Sequence, residues 1–285
     1  MVELDQATLA KWGELWLSET PSDQKEKPKP RRKVKDGLEL LDIFRIVPEM
    51  APKVLRVKKA RSFDKKQAMD FGYQFDHAFG RAVAVMLGGI EVRTVNSDAL
   101  LPPEPDIMEV GKTRIVGGIR PQNYDAAYRP DGPRIVYDSK TLNERKSIGK
   151  NWQNMINDLS TEATTVHTRF PMCIVAFIVA VPRPALDPAQ ERDLIRTLQR
   201  LGTRASVLDQ AHLAEAIALV VWNPADGTID PNVPPRASNL RIENMHRRVN
   251  ASYLARYANL PPHQETAVED DDQDDDEAEA PQVEV

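Results

Sequence analysis

Two aspartates, Asp125 and Asp138, and a lysine, Lys140, fall close enough in this chain to act as one chemical group. They lie in residues 117–140, GGIRPQNYDAAYRPDGPRIVYDSK, a stretch that reads as a β-hairpin. Its turn is Pro130-Asp131-Gly132-Pro133, where glycine takes a positive φ and the prolines stop the pairing. With Arg129 opposite Arg134, Asp125 comes to face Asp138, and Lys140 projects from the same side of its strand as Asp138. Two opposed carboxylates repel one another, and a divalent cation resolves the conflict. Mg²⁺ suits such a pair, because it binds through one or two carboxylates and keeps most of its water. A water acidified by the metal and held near the lysine is a nucleophile placed to attack a phosphodiester.

Elements on either side must position these groups. Ala68, Gly72, Phe75, Phe79, Ala82 and Met86 recur at helical spacing and predict a core helix over 67–87, followed by a strand over 90–95. Residues 97–112, rich in proline and acids, are expected to form a loop that covers the cleft. Ile135, Val136 and Tyr137 leave little of the second hairpin strand polar, so that strand is expected to be covered on both faces. After Lys140, the stripe Ile148, Trp152, Met155, Ile156, Leu159, Ala163 and Val166 marks a helix. Lys146 and Lys150 fall at its first turns, where outward-pointing amides also welcome a phosphate. Asn151, Gln153, Asn154 and Asn157 occupy its other faces. A buried strand over 173–181, a helix over 189–201 carrying Arg192, Arg196 and Arg200, a strand over 217–222 and a helix over 238–257 with Ser238 as N-cap complete the order.

At this level the residues resemble the PD-(D/E)XK nucleases, the restriction-endonuclease-like superfamily. That pattern places an acid near the start of one strand and an acid, any residue and a lysine on the next, followed by a helix; Asp125, Asp138 and Lys140 match it. The likeness runs from the helix near Gln67 to the strand ending near Val181. It departs at Tyr124, which stands where the pattern has proline; the nearest upstream proline is Pro121. The resemblance implies an α/β fold with a mixed sheet flanked by helices, Mg²⁺ on Asp125 and Asp138, and Lys140 orienting the attacking water. It also implies a further acid on the helix before the sheet, for which Asp76 is the candidate, with Asp70 and Glu91 behind it. His77 beside Asp76 reads as a hydrogen-bonded core or surface histidine. Lys150 and Gln153 are the expected substrate contacts on the helix after the site, with Lys146, Arg192 and Arg196 adding DNA-backbone charge.

Composition bounds the remainder. Residues 264–285 hold 11 acids and no base, so residues 1–263 set 38 bases against 32 acids, a net +6 within a chain whose overall charge is −5. A basic body with an acidic tail favours a polyanionic partner. The tail has too little apolar surface to fold. The single cysteine, Cys173, excludes an intrachain disulfide and a cysteine-based metal cluster. Its apolar run ends at Pro182, well short of the roughly 20 residues that span a bilayer, so no membrane association and a soluble, cytoplasmic protein are expected. The expected organisation is a helical N-terminal segment with a basic linker over 1–60, a nuclease-like domain over 61–262 and a disordered acidic tail over 263–285. The expected activity is Mg²⁺-dependent endonucleolytic cleavage of double-stranded DNA by a type II restriction-type enzyme, working as a homodimer if both strands are cut. The alternatives are a repair or recombination nuclease of the same fold and a non-catalytic nucleic-acid-binding or assembly protein.

Overall fold

A computed structural model describes residues 1–18, 63–143, 148–183, 186–260 and 262. The basic linker, Lys146, the side chain of Lys150 and the acidic tail lie outside the described residues. The elements are α1 (Gln6–Leu17), α2 (Lys65–Met86), β1 (Glu91–Ser97), β2 (Ile107–Val116), β3 (Pro121–Tyr128), β4 (Ile135–Thr141), α3 (Ile148–His167), β5 (Ile174–Pro182), α4 (Pro188–Leu201), β6 (Ala216–Trp222) and α5 (Ile242–Tyr257). The strands form one six-stranded mixed sheet in the order β1-β2-β3-β4-β5-β6. β2, β3 and β4 form an antiparallel meander, while β4, β5 and β6 run parallel, as do β1 and β2. The chain is therefore α/β with helices on both faces of a mixed sheet.

Sequence pattern explains this layering. Every residue of β5, IVAFIVAVP, and of β6, AIALVVW, is buried, as a strand covered on both faces requires. Ile135, Val136 and Tyr137 of β4 are likewise fully buried. The strand order advances steadily from β4 to β6, so right-handed crossovers place α3 and α4 on the same face. There they pack on Val175, Phe177, Val179 and Leu219. α2, α5 and α1 cover the other face, against Tyr137, Ala176, Ile178 and Val220. Phe79 of α2 stacks on Tyr137 of β4 with ring centroids 4.1 Å apart. α2 begins in a capping box: the Asp64 side chain accepts from the Gln67 amide at 2.8 Å, and the Gln67 side chain accepts from the Asp64 amide at 2.9 Å.

Several expectations change. The loop predicted over 97–112 is only 98–106, because Ile107, Met108 and Val110 enter the core and start β2. That loop does not cover the cleft beside Asp125. The Arg129 guanidinium donates to the carbonyls of Ala99 and Leu100, and the same side chain forms a buried two-pronged pair with Glu109. The last helix starts at Ile242, with Arg241 rather than Ser238 at its N-cap. The Ser238 hydroxyl instead accepts from the Leu240 amide, inside the turn that precedes the helix. α5 lies on the sheet through Ile242, Met245, Val249, Tyr253 and Tyr257, and Arg248 and Arg256 are engaged inward. At that end of the sheet the buried Glu215 carboxylate accepts from Arg204 and Arg256 and sits 3.3 Å from His167.

α1 docks on the body. Trp16 is buried and its indole N–H donates to the Asn143 carbonyl at 2.9 Å, while Trp12 meets Phe63 and Phe71 edge-on at 5.7 and 5.8 Å. The first helix thus braces the chain where it leaves β4, three residues past Lys140. Among the described residues no helix is long and apolar enough to cross a membrane.

Candidate active site

The hairpin has the register read from its turn. Gly132 carries φ +131°, the Arg134 amide donates to the Tyr128 carbonyl, and Tyr128 pairs with Ile135, Ala127 with Val136 and Ala126 with Tyr137. One more step would pair Asp125 with Asp138, and there the ladder stops. The amide of Ser139 donates instead to the Asp125 carboxylate at 2.9 Å, and the Ser139 hydroxyl adds a second bond at 3.2 Å. β4 continues alone with β5 as far as Thr141 opposite Ala180. β3 and β4 therefore part at the two carboxyls, which stay within hydrogen-bond reach of one another.

A bulge on the other side of β3 shapes the same point. Val110 pairs with Ala126 and Thr113 with Tyr124, so Gly111 and Lys112 together oppose Asp125. Gly111 has φ +113°, and a Cβ there would fall 2.1 Å from the Val95 carbonyl oxygen, so only glycine lets β1 and β2 close at the bulge. The pleat of β3 is also interrupted. Ala126 packs toward α2, whereas Tyr124, two residues away, sends its hydroxyl to the Glu162 carbonyl on α3 at 2.9 Å. Asp125 sits at that reversal and so borders groups from both faces.

Asp138 and Lys140 share the α3 side, as their spacing predicts. The Lys140 ammonium lies 2.6 Å from Asp138 and 2.9 Å from Glu162. Asp76 reaches the site from α2 on the opposite side, next to Asp125 and Ser139. Asp76, Asp138 and Glu162 are 5–6% exposed. Asp70 is exposed on α2, Glu91 is exposed and paired to Arg93, and His77 meets Tyr73 edge-on at 4.2 Å; none of the three joins the site.

Four carboxyls surround one ammonium, and burial raises their cost. Burial, and Asp138 beside it, push the Asp125 carboxyl up to about 8. Burial pushes Asp138 up to about 6, held back by the bond from Asp125 and by the charge of Lys140. Asp76 stands well above the carboxylate range through burial and the nearness of Asp125. Lys140 is held above its ordinary value; burial works against its charge, and Asp138 and Glu162 outweigh burial. At neutral pH the site thus holds protons where a cation would relieve the same repulsion.

Among the described residues no three His, Cys, Asp or Glu side chains are grouped to hold a metal ion. The carboxylates come in pairs around Asp125, because Asp76 and Asp138 approach from opposite faces of the sheet. A pair meets the needs of Mg²⁺, which takes one or two carboxylates with water. The buried Asp76 Oδ1, which has no hydrogen-bond partner among the described residues, is an oxygen available to such an ion. The donor set fits Mg²⁺.

Two clefts open on the site and share Ser139 and Thr141. One, of about 490 Å³, is lined by Tyr73, Asp76, Thr94, Asn96, Lys112 and Asp125. The other, of about 400 Å³, runs past Lys140 along Asn151, Asn154 and Asp158 of α3. Gln153 is exposed and borders neither cleft, and so are Arg192 and Arg196 of α4. The polar helix edge beside Lys140 is therefore Asn151-Asn154-Asp158, one turn position away from Gln153.

Sequence reading missed Glu162. It lies one heptad after Met155, within the series Met155, Leu159, Glu162, Val166 that forms the apolar stripe. A charged residue at a core-facing position of a helix needs a partner, and that was the available signal. No protein-family model, curated protein or solved structure matches this chain, so the site is argued from its own geometry.

Proposed function

We propose that the protein is a Mg²⁺-dependent nuclease that hydrolyses DNA phosphodiester bonds, with Asp125, Asp138 and Lys140 at its centre and a restriction-endonuclease-like core. The observation that carries this reading is the Ser139-to-Asp125 hydrogen bond at the fork of β3 and β4. It sets one carboxyl against Asp138, two residues before a buried-stem lysine, at a point open to two clefts. The element order supports it too: a helix carrying an acid, a strand with an acid, a strand with Asp-x-Lys, then a helix.

Mg²⁺ bound by Asp125 and Asp138 would supply positive charge to the phosphate and acidify a coordinated water. The chain's own groups do the rest. Lys140 keeps its proton and donates from one side to the attacking oxygen or to the phosphoryl oxygens on which negative charge gathers. Asp76 offers a third carboxylate oxygen from α2, and Ser139 holds Asp125 in its rotamer. The net positive charge of residues 1–263 attracts the polyanion. A type II restriction-type role on duplex DNA, as a homodimer cutting both strands, is the form proposed.

The test is cleavage of plasmid, linear duplex, single-stranded and branched DNA with Mg²⁺ or EDTA, by the wild type and by Asp125→Asn, Asp138→Asn and Lys140→Ala. Discrete products that need Mg²⁺ and fall at least about 100-fold in each variant support the reading. A preference for branched DNA replaces restriction by repair or recombination. Salt-sensitive binding without cleavage, unchanged in Asp138→Asn, replaces the enzyme by a binding protein.

A further inference from the structure

Lys140 is asked to serve two masters. Its ammonium is held by Asp138 at 2.6 Å, yet Asp138 is also one of the two carboxylates expected to turn to a cation. A carboxylate drawn onto a divalent ion gives up electron density to it and holds an ammonium less well, and a partly buried lysine left with one weakened partner loses its fixed direction. The second partner removes that difficulty. Glu162 Oε1 lies 2.9 Å from the same nitrogen, and Glu162 is itself only 6% exposed.

Two hydrogen bonds besides the Lys140 contact hold Glu162. It lies about four turns into α3, and its carbonyl accepts from the Tyr124 hydroxyl at 2.9 Å. Its Oε1 also accepts from the Gln122 side chain at 3.4 Å. The other oxygen, Oε2, is enclosed and has no hydrogen-bond partner among the described residues. A buried carboxylate with one oxygen unsatisfied is a poor device for stability alone, since a well-packed apolar pair at such a place is often as stable or more so.

We propose that Glu162 is a positioning residue, which keeps the Lys140 ammonium aimed at the reacting phosphate when Asp138 engages the cation. The proposal rests on the nuclease reading. Its distinguishing demand is that Glu162 acts through Lys140 and through nothing else. The two alternatives for Glu162 are a ligand of the cation, which would need its charge, and a plain structural pair, which would affect folding and leave the lysine's order and the rate alone.

The experiment compares Glu162→Leu and Glu162→Gln in the full chain, each with and without Lys140→Ala. Glu162→Leu removes the acceptor at similar size, and a misaimed catalytic group is expected to lower kcat about 100-fold with KM for DNA little changed. Glu162→Gln keeps an acceptor oxygen at the same place and is expected to lose far less. In the Lys140→Ala background Glu162→Leu is expected to add nothing, because residues acting as a unit are not additive. A second readout, the ¹⁵N–¹H signal of an ordered Lys140 side-chain ammonium in the presence of Mg²⁺, is expected to persist in wild type and Glu162→Gln and to vanish in Glu162→Leu.

An unchanged rate in Glu162→Leu, a further loss on top of Lys140→Ala, or a loss in Glu162→Gln as deep as in Lys140→Ala overturns the proposal. Should Glu162→Leu fail to fold, the Glu162→Gln comparison decides. If wild type cleaves no DNA, the nuclease reading fails by itself; the ammonium signal still tests the positioning contact, and its survival in Glu162→Leu overturns that contact.

Discussion

The Ser139 backbone amide is bonded to the Asp125 carboxylate instead of to a backbone carbonyl of β3. This single substitution of partner ends the β3–β4 ladder at Ala126 and Tyr137 and leaves two carboxyls facing each other at the fork. It also ties the orientation of Asp125 to the strand that carries Asp138 and Lys140. Three predictions follow from this corner of the sheet and from what braces it.

Stability in EDTA should fall as pH rises across the neutral range. The folded Asp125 has its carboxyl pushed up from 3.8 to about 8, and Asp138 to about 6, so between those limits the folded state binds protons that the unfolded chain has released. Where the folded state binds more protons, stability declines with pH; the cost is absent below about 4 and complete above about 8. Glu215 has the opposite sign. Burial opposes its charge, but His167, the Val175 amide and Arg256 hold it at about 2, below its ordinary 4.5, so its contribution is already complete by pH 5 and does not confuse the measurement. Thermal melts from pH about 5 to about 8 should therefore slope downward in wild type and less steeply in Asp125→Asn, where Asp138 and Asp76 still bind protons in the folded state. Mg²⁺ should raise Tm most at the alkaline end, where no proton needs displacing. A Tm indifferent to Mg²⁺ at every pH would count against the cation site.

The substrate-facing edge of α3 should be readable by affinity. Asn154 lines the cleft that runs past Lys140, whereas Gln153 and Arg196 border neither cleft. Asn154→Ala is expected to weaken DNA binding by roughly 1 kcal/mol, about fivefold, as the loss of one polar contact. Gln153→Ala and Arg196→Ala should have smaller effects. Fluorescence anisotropy at one fixed salt concentration, without Mg²⁺, makes the comparison; equal losses in all three would mean that the binding surface extends well beyond the cleft.

The docking of α1 should matter to both stability and site order. A Cβ at Gly13 would stand 1.8 Å from the Pro224 carbonyl oxygen, so Gly13→Ala must push the helix off the body. Trp16→Ala removes a buried indole and its bond to the Asn143 carbonyl, at an expected cost of about 3–5 kcal/mol. Urea titration reads the cost. Because Asn143 follows β4 directly, both variants should also loosen the Lys140 region and lower cleavage; full activity with reduced stability would show that the brace is purely structural.

Local sequence is enough to define the hairpin that carries the chemistry. Pro130-Asp131-Gly132-Pro133 admits one short turn, and a short turn sets the register of every pair behind it, so Asp125, Asp138 and Lys140 were legible as a group. The helix carrying Asp76 and the helix after the site were legible for the same local reason, an apolar repeat near 3.6 residues. Strand β2 was not, because its buried Glu109 looks like a loop acid until Arg129, twenty residues away, is seen to neutralise it. Long-range packing sets which side of α3 faces Lys140, brings Glu162 to the lysine and joins α1 to the core through Trp16. Each of these is a contact between segments distant in sequence, set by the sheet twist and the helix docking angle, and no local periodicity encodes either.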